Sequence, residues 1–168
     1  MKIITYLRRE YRCADFASIL VFALASLAVG IISFLIGGSA DLYGEIILPK
    51  FAPPALVFGI VWTVIFLMIG TAAGNVFSRK CPSVSKSRRT GTLFYFITLF
   101  FTFIWYPIFF GSQAFFCGLV IVAFIMGACL LTIKEYLKVS FLSAFLMLLY
   151  LFWLIFAFFL NLCVVILN

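Results

Sequence analysis

The chain has 168 residues, of which 67% are hydrophobic, 20% aromatic and only 10% charged, and its mean hydropathy is +1.30. A water-soluble domain of this length has to cover itself with polar groups, so this composition excludes one and defines an integral membrane protein. The net charge of +7 does not point to nucleic acid, because the cations sit in short clusters between apolar runs, the pattern that membrane topology produces.

Five apolar runs predict spans at about 16–36, 54–77, 92–110, 115–133 and 141–167. Each supplies roughly the 20 apolar residues that a bilayer core requires. At that depth no water is available to the backbone, so the spans must be helices. Alternation at period two, the mark of a membrane barrel, is absent. The expected fold is all-α, a five-transmembrane-helix bundle forming a single domain over 1–168. The first run is too long for a signal-peptide core and no A-x-A site follows it.

The cations orient the bundle. Lys2, Arg8, Arg9 and Arg12 precede the first span. Arg79, Lys80, Lys86, Arg88 and Arg89 lie between the second and third, and Lys134 and Lys138 flank the fourth. Five spans put all of them on one side and leave Lys50 opposite. By the positive-inside rule the N-terminus is expected in the cytoplasm and the C-terminus outside, as in a bacterial inner membrane.

Two loops differ in kind. The segment 79–90 is polar and basic and reads as a solvated cytoplasmic connector. The segment 37–53 is apolar in its second half, with Ile46, Ile47, Leu48 and Phe51. It is expected to fold back as a lid over the outer end of the bundle. An interfacial segment lying on lipid headgroups is the alternative.

Inside the spans, aromatic residues recur at helical spacing. Phe58, Trp62 and Phe66 share one stripe of the second span, and Thr102, Trp105, Tyr106 and Phe109 one face of the third. Tyr150, Trp153, Ala157 and Asn161 form a narrow stripe on the fifth. Thr102, Tyr106, Tyr150 and Asn161 are costly to point at lipid, so these faces turn inward. An inward lining of indoles, phenols and small residues suits a flat, aromatic, poorly soluble ligand. Ordinary packing is the competing explanation in a chain with 23 Phe, 7 Tyr and 3 Trp.

The chain has no histidine, which removes the commonest acid–base residue and the usual axial ligand of haem iron. Cys13, Cys81, Cys117, Cys129 and Cys163 form no C-x-x-C pair, and the spans hold no acid pair. No catalytic residue and no metal site are assigned.

Three blocks carry a family resemblance. PKFAPPALVFGIVWTVIFLMIGTAAG (Pro49 to Gly74) resembles the second-helix signature of the TspO/MBR family, the tryptophan-rich sensory and translocator proteins also called peripheral-type benzodiazepine receptors. Pro49, Phe51, Pro53, Pro54, Val57, Phe58, Val61, Trp62, Gly70 and Ala72 are among the matching residues. WYPIFFG (Trp105 to Gly111) and YLFWLIFAFFLN (Tyr150 to Asn161) resemble two further family blocks, in the same order. The chain departs from the pattern at Leu56, Ile60, Phe66, Thr102 and Leu149, losing a polar handle or a kink at each.

The resemblance implies a membrane binding or sensor protein for tetrapyrroles such as protoporphyrin IX and haem, and in some members cholesterol and isoquinolines. The ligand would lie beneath the 37–53 loop. Its binding residues would be Tyr43 and Pro53 from the loop, Trp62 and Phe66 from the second helix, and Trp105, Tyr106 and Phe109 from the third. The fifth helix would add Trp153, Ala157 and Asn161, with Trp62 and Trp153 facing each other across one cavity. Light-dependent porphyrin degradation, and transport of lipid, sterol or porphyrin, are the alternative functions. The implied partners are the lipid bilayer and a flat hydrophobic ligand, with porphyrin as ligand rather than obligatory cofactor and no nucleic acid. A homodimer is open through small residues such as Gly118, Gly127 and Ala128. Leu131, Tyr136 and Lys138 also fit a loose sterol-contact pattern.

Overall fold

A computed structural model describes residues 15–38 and 42–168; Lys2, Arg8, Arg9, Arg12 and Cys13 lie outside the described residues. The described residues are helical, without strands. α1 (Phe16–Gly37) leads through the short α2 (Leu42–Glu45) to α3 (Ala55–Phe77). A 3₁₀ turn (Pro82–Val84) opens α4 (Ser85–Tyr106), which runs into a π turn (Pro107–Gly111). α5 (Phe115–Tyr136) and α6 (Phe141–Leu167) complete the chain. Among the described residues five helices, α1, α3, α4, α5 and α6, are long and apolar enough to cross a membrane. The chain is a multi-pass integral membrane protein.

Local chemistry sets the helix ends. The Asp15 carboxylate caps α1, accepting from the Ala17 amide at 3.2 Å and the Ser18 hydroxyl at 2.6 Å. The Ser18 hydroxyl, aided by the backbone amides, holds the Asp15 carboxyl below its ordinary pKa. Ser140 caps α6 in the same way, accepting from the Ser143 amide. α4 begins at Ser85, seven residues before the apolar run, so Lys86, Arg88 and Arg89 stand on its first turns and not in a loop. The bilayer dictates where hydrocarbon begins, but a helix need not stop there. Arg88 donates to the carbonyl of Phe77 at 3.3 Å, satisfying a terminal acceptor of α3.

The bundle is tied by small residues and hydroxyls, as expected where lipid removes the hydrophobic drive between helices. Gly70 and Gly74 let the α3 backbone lie against that of α1. A Cβ on Gly70 would strike the Phe22 carbonyl and the Ser26 hydroxyl, and one on Gly74 would lie 2.6 Å from the Ile19 Cα. Ser26 accepts from the Tyr95 hydroxyl at 2.5 Å while donating to the Phe22 carbonyl, joining α1 to α4. Asn75 donates to Ser140 and Ser143 at 3.1 and 2.8 Å, joining α3 to α6. Tyr150 donates to Thr102 at 2.8 Å, since Thr102 already donates to the Thr98 carbonyl.

The two ends of the bundle differ. Arg79, Lys80, Lys86, Arg88, Arg89, Lys134 and Lys138 collect where α3 and α5 end and α4 and α6 begin. Lys50 lies at the other end, with the loop that follows α1. There the π turn interrupts α4. Pro107 has no N–H, so the Phe103 carbonyl loses its helical donor. The Ser33 hydroxyl of α1 donates to that carbonyl at 2.6 Å. One turn on, the Ser112 amide reaches back five residues to the Pro107 carbonyl at 2.9 Å.

Candidate functional site

The segment after α1 covers the end of the bundle. The Tyr43 hydroxyl donates to the Pro53 carbonyl at 2.7 Å, and its ring packs on Phe58 and Phe110 with centroids 5.4 and 6.1 Å away. Partial burial raises the Tyr43 phenol above its ordinary pKa. The Asn168 amide pairs with both backbone groups of Ile47, accepting from its N–H at 3.0 Å and donating to its carbonyl at 3.1 Å. Ile46 is buried and Leu48 packs on the core, whereas Ile47 and Phe51 stay exposed. The segment therefore has two faces, one closing the bundle and one turned outward. Pro54 starts α3 with its fixed φ and accepts from the Phe58 amide at 3.0 Å.

Beneath Tyr43 lies a cavity of about 720 Å³ between α1, α3 and α4. Five of the ten expected binding residues line it, Tyr43, Trp62, Phe66, Trp105 and Tyr106, together with Phe58 and Thr102 from the same aromatic stripes. Pro53 stands behind Tyr43 as its hydrogen-bond acceptor. Phe109, Trp153, Ala157 and Asn161 do not line it; they pack with Trp62 and Trp105 behind it. Phe109 stacks on Trp105 (5.4 Å, 24°), and Trp105 stacks on Trp62 (5.5 Å, 29°). The Trp105 indole N–H donates to Asn161 at 3.3 Å, and Asn161 donates to the Ala157 carbonyl at 2.7 Å.

Trp62 and Trp153 do not face each other across a cavity. Their rings meet edge to face at 6.2 Å and 88°. Trp153 and Phe58, 6.0 Å apart, fill the space that a gap would have required. The open volume is instead on the α1 side, and α1 supplies Leu27, Gly30, Ile31, Ser33 and Phe34 to its wall. Reading aromatic stripes passed over this helix. The available signal was the run of small residues at Gly30, Ser33 and Gly37, which share one face at helical period. Gly30 lies under the Phe66 ring and Gly37 under Tyr106, in both cases too close to admit a Cβ. Leu56 and Ile60, two of the departures from the family pattern, both line the cavity and face outward.

The polar groups around the cavity are unevenly satisfied. Ser33, Thr63 and Thr102 donate to the carbonyls of Phe103, Gly59 and Thr98. The indole nitrogens of Trp62 and Trp153 are buried with no acceptor among the described residues. A buried donor left so costs about 1–3 kcal/mol, which an acceptor on a bound molecule would offset. Among the described residues no group of His, Cys, Asp or Glu could hold a metal ion, and Cys81, Cys117, Cys129 and Cys163 are free thiols. Of the sterol-contact pattern, Leu131 is exposed but Tyr136 is fully buried, against Gly91. Of the small residues on α5, Gly118 packs under Phe109 while Gly127 opens outward.

A five-helix membrane bundle whose lid covers an indole-walled cavity is the class these features define. The sequence profile of the TspO/MBR family matches residues 18–167, and the chain belongs to that family. It is 33% identical over 147 residues to the tryptophan-rich protein TspO of Archaeoglobus fulgidus, covering 86% of this chain and 93% of that protein. It is 31% identical over 126 residues to the tryptophan-rich protein TspO of Chlorobaculum tepidum, covering 75% and 78%. A 63-residue stretch, 38% of each chain, is 35% identical to the translocator protein homolog of Schizosaccharomyces pombe.

Proposed function

We propose that this protein is a membrane-embedded binding protein for tetrapyrroles, such as protoporphyrin IX or haem, and similar flat hydrophobic molecules. The observation that carries the reading is the cavity itself. Its volume of about 720 Å³ falls inside the range of roughly 300–1,000 Å³ typical of small-molecule sites. Trp62, Trp105, Phe66, Tyr106 and Tyr43 surround it with ring faces on which a macrocycle can stack. The buried indole N–H of Trp62 offers a donor to a polar ring edge. With no histidine in the chain, any haem is held by stacking and shape and not by imidazole ligation. The cation-rich end of the bundle faces the cytoplasm of a bacterial inner membrane, which puts the lid outside.

Titration of the detergent-purified protein with protoporphyrin IX, read by tryptophan fluorescence, tests this. The expected result is saturable quenching at about one porphyrin per chain, with no change in the porphyrin spectrum under illumination. A linear, unsaturable decline would sink the binding reading. Saturable binding followed by light-dependent loss of the Soret band would replace it with the degradation reading.

A further inference from the structure

We propose that the cavity opens sideways into the bilayer between α1 and α3, and that an acyl chain of the lid-side leaflet occupies this mouth until a ligand displaces it. The site stands whatever that ligand is.

The helices themselves make the gap. Toward the cation-rich end, α1 and α3 touch backbone to backbone at Gly70 and Gly74. Toward the lid, α1 turns to α4 instead. Ser33 bonds the Phe103 carbonyl, Gly37 packs on Tyr106, and the Phe34 ring lies 5.4 Å from that of Tyr106. α3 does not follow. A Cβ built on Gly59 meets nothing within 4 Å.

The wall of the cavity runs without a break from lipid-facing to interior residues. Leu56 is 76% exposed, and Ile60 and Val64 are each 55% exposed, whereas Thr102 and Trp105 on the same cavity are 2% and 3% exposed. In a membrane-spanning bundle that outer surface meets hydrocarbon. At the lid end Tyr43, bonded to the Pro53 carbonyl, stands over the cavity as part of its wall.

The chemistry of the mouth selects the occupant. Ser33, Thr63 and Thr102 already donate to main-chain carbonyls, so these hydroxyls do not call for water. A void of this size would forfeit the dispersion contacts of its whole lining. The molecule at hand, flexible enough to enter and apolar enough to stay, is a lipid tail.

The test uses the full chain in vesicles of phosphatidylcholine brominated on its acyl chains, where bromine quenches a tryptophan it touches. A Trp153→Phe background leaves Trp62 and Trp105 as reporters. Strong quenching is expected, although both indoles sit inside the bundle. Gly59→Phe adds a ring where the structure has open space and should at least halve that quenching. Gly127→Phe is the matched control: Gly127 also faces open space, on α5 and away from the cavity, and the quenching should not change. Gly59→Leu repeats the first arm with a residue that any lipid-facing helix accepts. No ligand is added, so failure of porphyrin binding leaves the result intact. Weak quenching in the Trp153→Phe protein, or equal effects of the substitutions at Gly59 and Gly127, would overturn the proposal.

Discussion

The cation-rich half of the bundle and its lid-side half are made from the same five helices and packed by opposite rules. In the first, Gly70 and Gly74 bring α1 and α3 together, and Ser26, Tyr95, Asn75, Ser140 and Ser143 bond across helices. In the second, large rings face one another, a π turn breaks α4, and a cavity of about 720 Å³ remains. The difference teaches where this molecule holds its stability and where it keeps room. Small side chains permit close backbone approach, and in lipid close packing and interhelical hydrogen bonds are what associate helices. Rings are too large and too few in their packing solutions to close every space, so they frame a site.

The strongest way to break the comparison is to interchange glycines. Gly70→Leu drives a side chain into the Phe22 carbonyl and the Ala23 backbone of α1. Backbone cannot yield as a flexible side chain can, so the expected loss is about 3 kcal/mol or more, at the upper end for overpacked sites. Gly59→Leu meets open space and removes a helical glycine, which is worth about 1 kcal/mol in the opposite direction. Thermal unfolding in one detergent should show a large fall for the first and none for the second. Equal falls would mean that the two halves are not packed differently.

Next in size is the binding half. Trp62→Leu removes the ring that lies between Trp105, Trp153 and the cavity. Losing a stacking platform weakens binding by about 1–3 kcal/mol, so porphyrin affinity should drop about tenfold or more while the protein still folds. Trp153→Leu should do less directly, because Trp153 touches Trp62 rather than the cavity. Phe94→Leu, on α4 outside the motifs, should leave affinity unchanged. Identical affinities for all three variants would return the aromatic stripes to plain packing.

The five spans were legible in the sequence because hydrocarbon thickness acts on every residue of a helix, and composition alone reports it. The start of α4 was not legible: Lys86, Arg88 and Arg89 carry no apolar signal, although Lys and Arg are good helix formers and Arg88 anchors the turn to the Phe77 carbonyl. The inward faces of α4 and α6 could be read from polar residues that lipid would reject, and Thr102, Tyr150 and Asn161 are buried. A stripe states which side faces in but not whether the space there is full. That depends on side chains from several helices at once, so the contact of Trp62 with Trp153 and the shift of the cavity toward α1 became visible only in three dimensions. The part played by Ser33 was half written in Trp105-Tyr106-Pro107. A proline leaves a carbonyl four residues earlier without a donor, but which helix answers it is a matter of tertiary structure.

Two interhelical ties, one in each half, sharpen the contrast further. Asn75→Ala removes two donors-to-hydroxyl bonds in the tight half and should cost about 1–2 kcal/mol of stability, near the upper end for interhelical bonds in membranes. Ser33→Ala strips the Phe103 carbonyl of its donor and should cost about 1 kcal/mol. Its signature should be different, because Ser33 positions α1 at the cavity mouth. Porphyrin affinity should fall with Ser33→Ala and hold with Asn75→Ala. The reverse pattern would contradict the assignment of stability and binding to separate halves.

The smallest expected effect concerns the lid. Tyr43→Phe keeps the ring against Phe58 and Phe110 but loses the 2.7 Å bond to the Pro53 carbonyl. Because Tyr43 is only half-buried, water can replace part of that bond, and the cost should be about 0.5–1 kcal/mol. The bond also has a pH signature. Burial raises the phenol above its ordinary value, so the folded state favours the neutral hydroxyl, the form that can donate. Its contribution is complete below the unfolded pKa of about 10 and is lost as pH rises through the higher folded value. Melting temperatures of the two proteins should differ by a constant amount from neutral pH to about 9, and the gap should narrow as pH rises above 10. Lysine titration acts on both proteins alike and cancels in the difference. A gap that stays constant to pH 11 would show that the Tyr43 hydroxyl does not hold the lid, leaving the Asn168 pairing with Ile47 as its fastening.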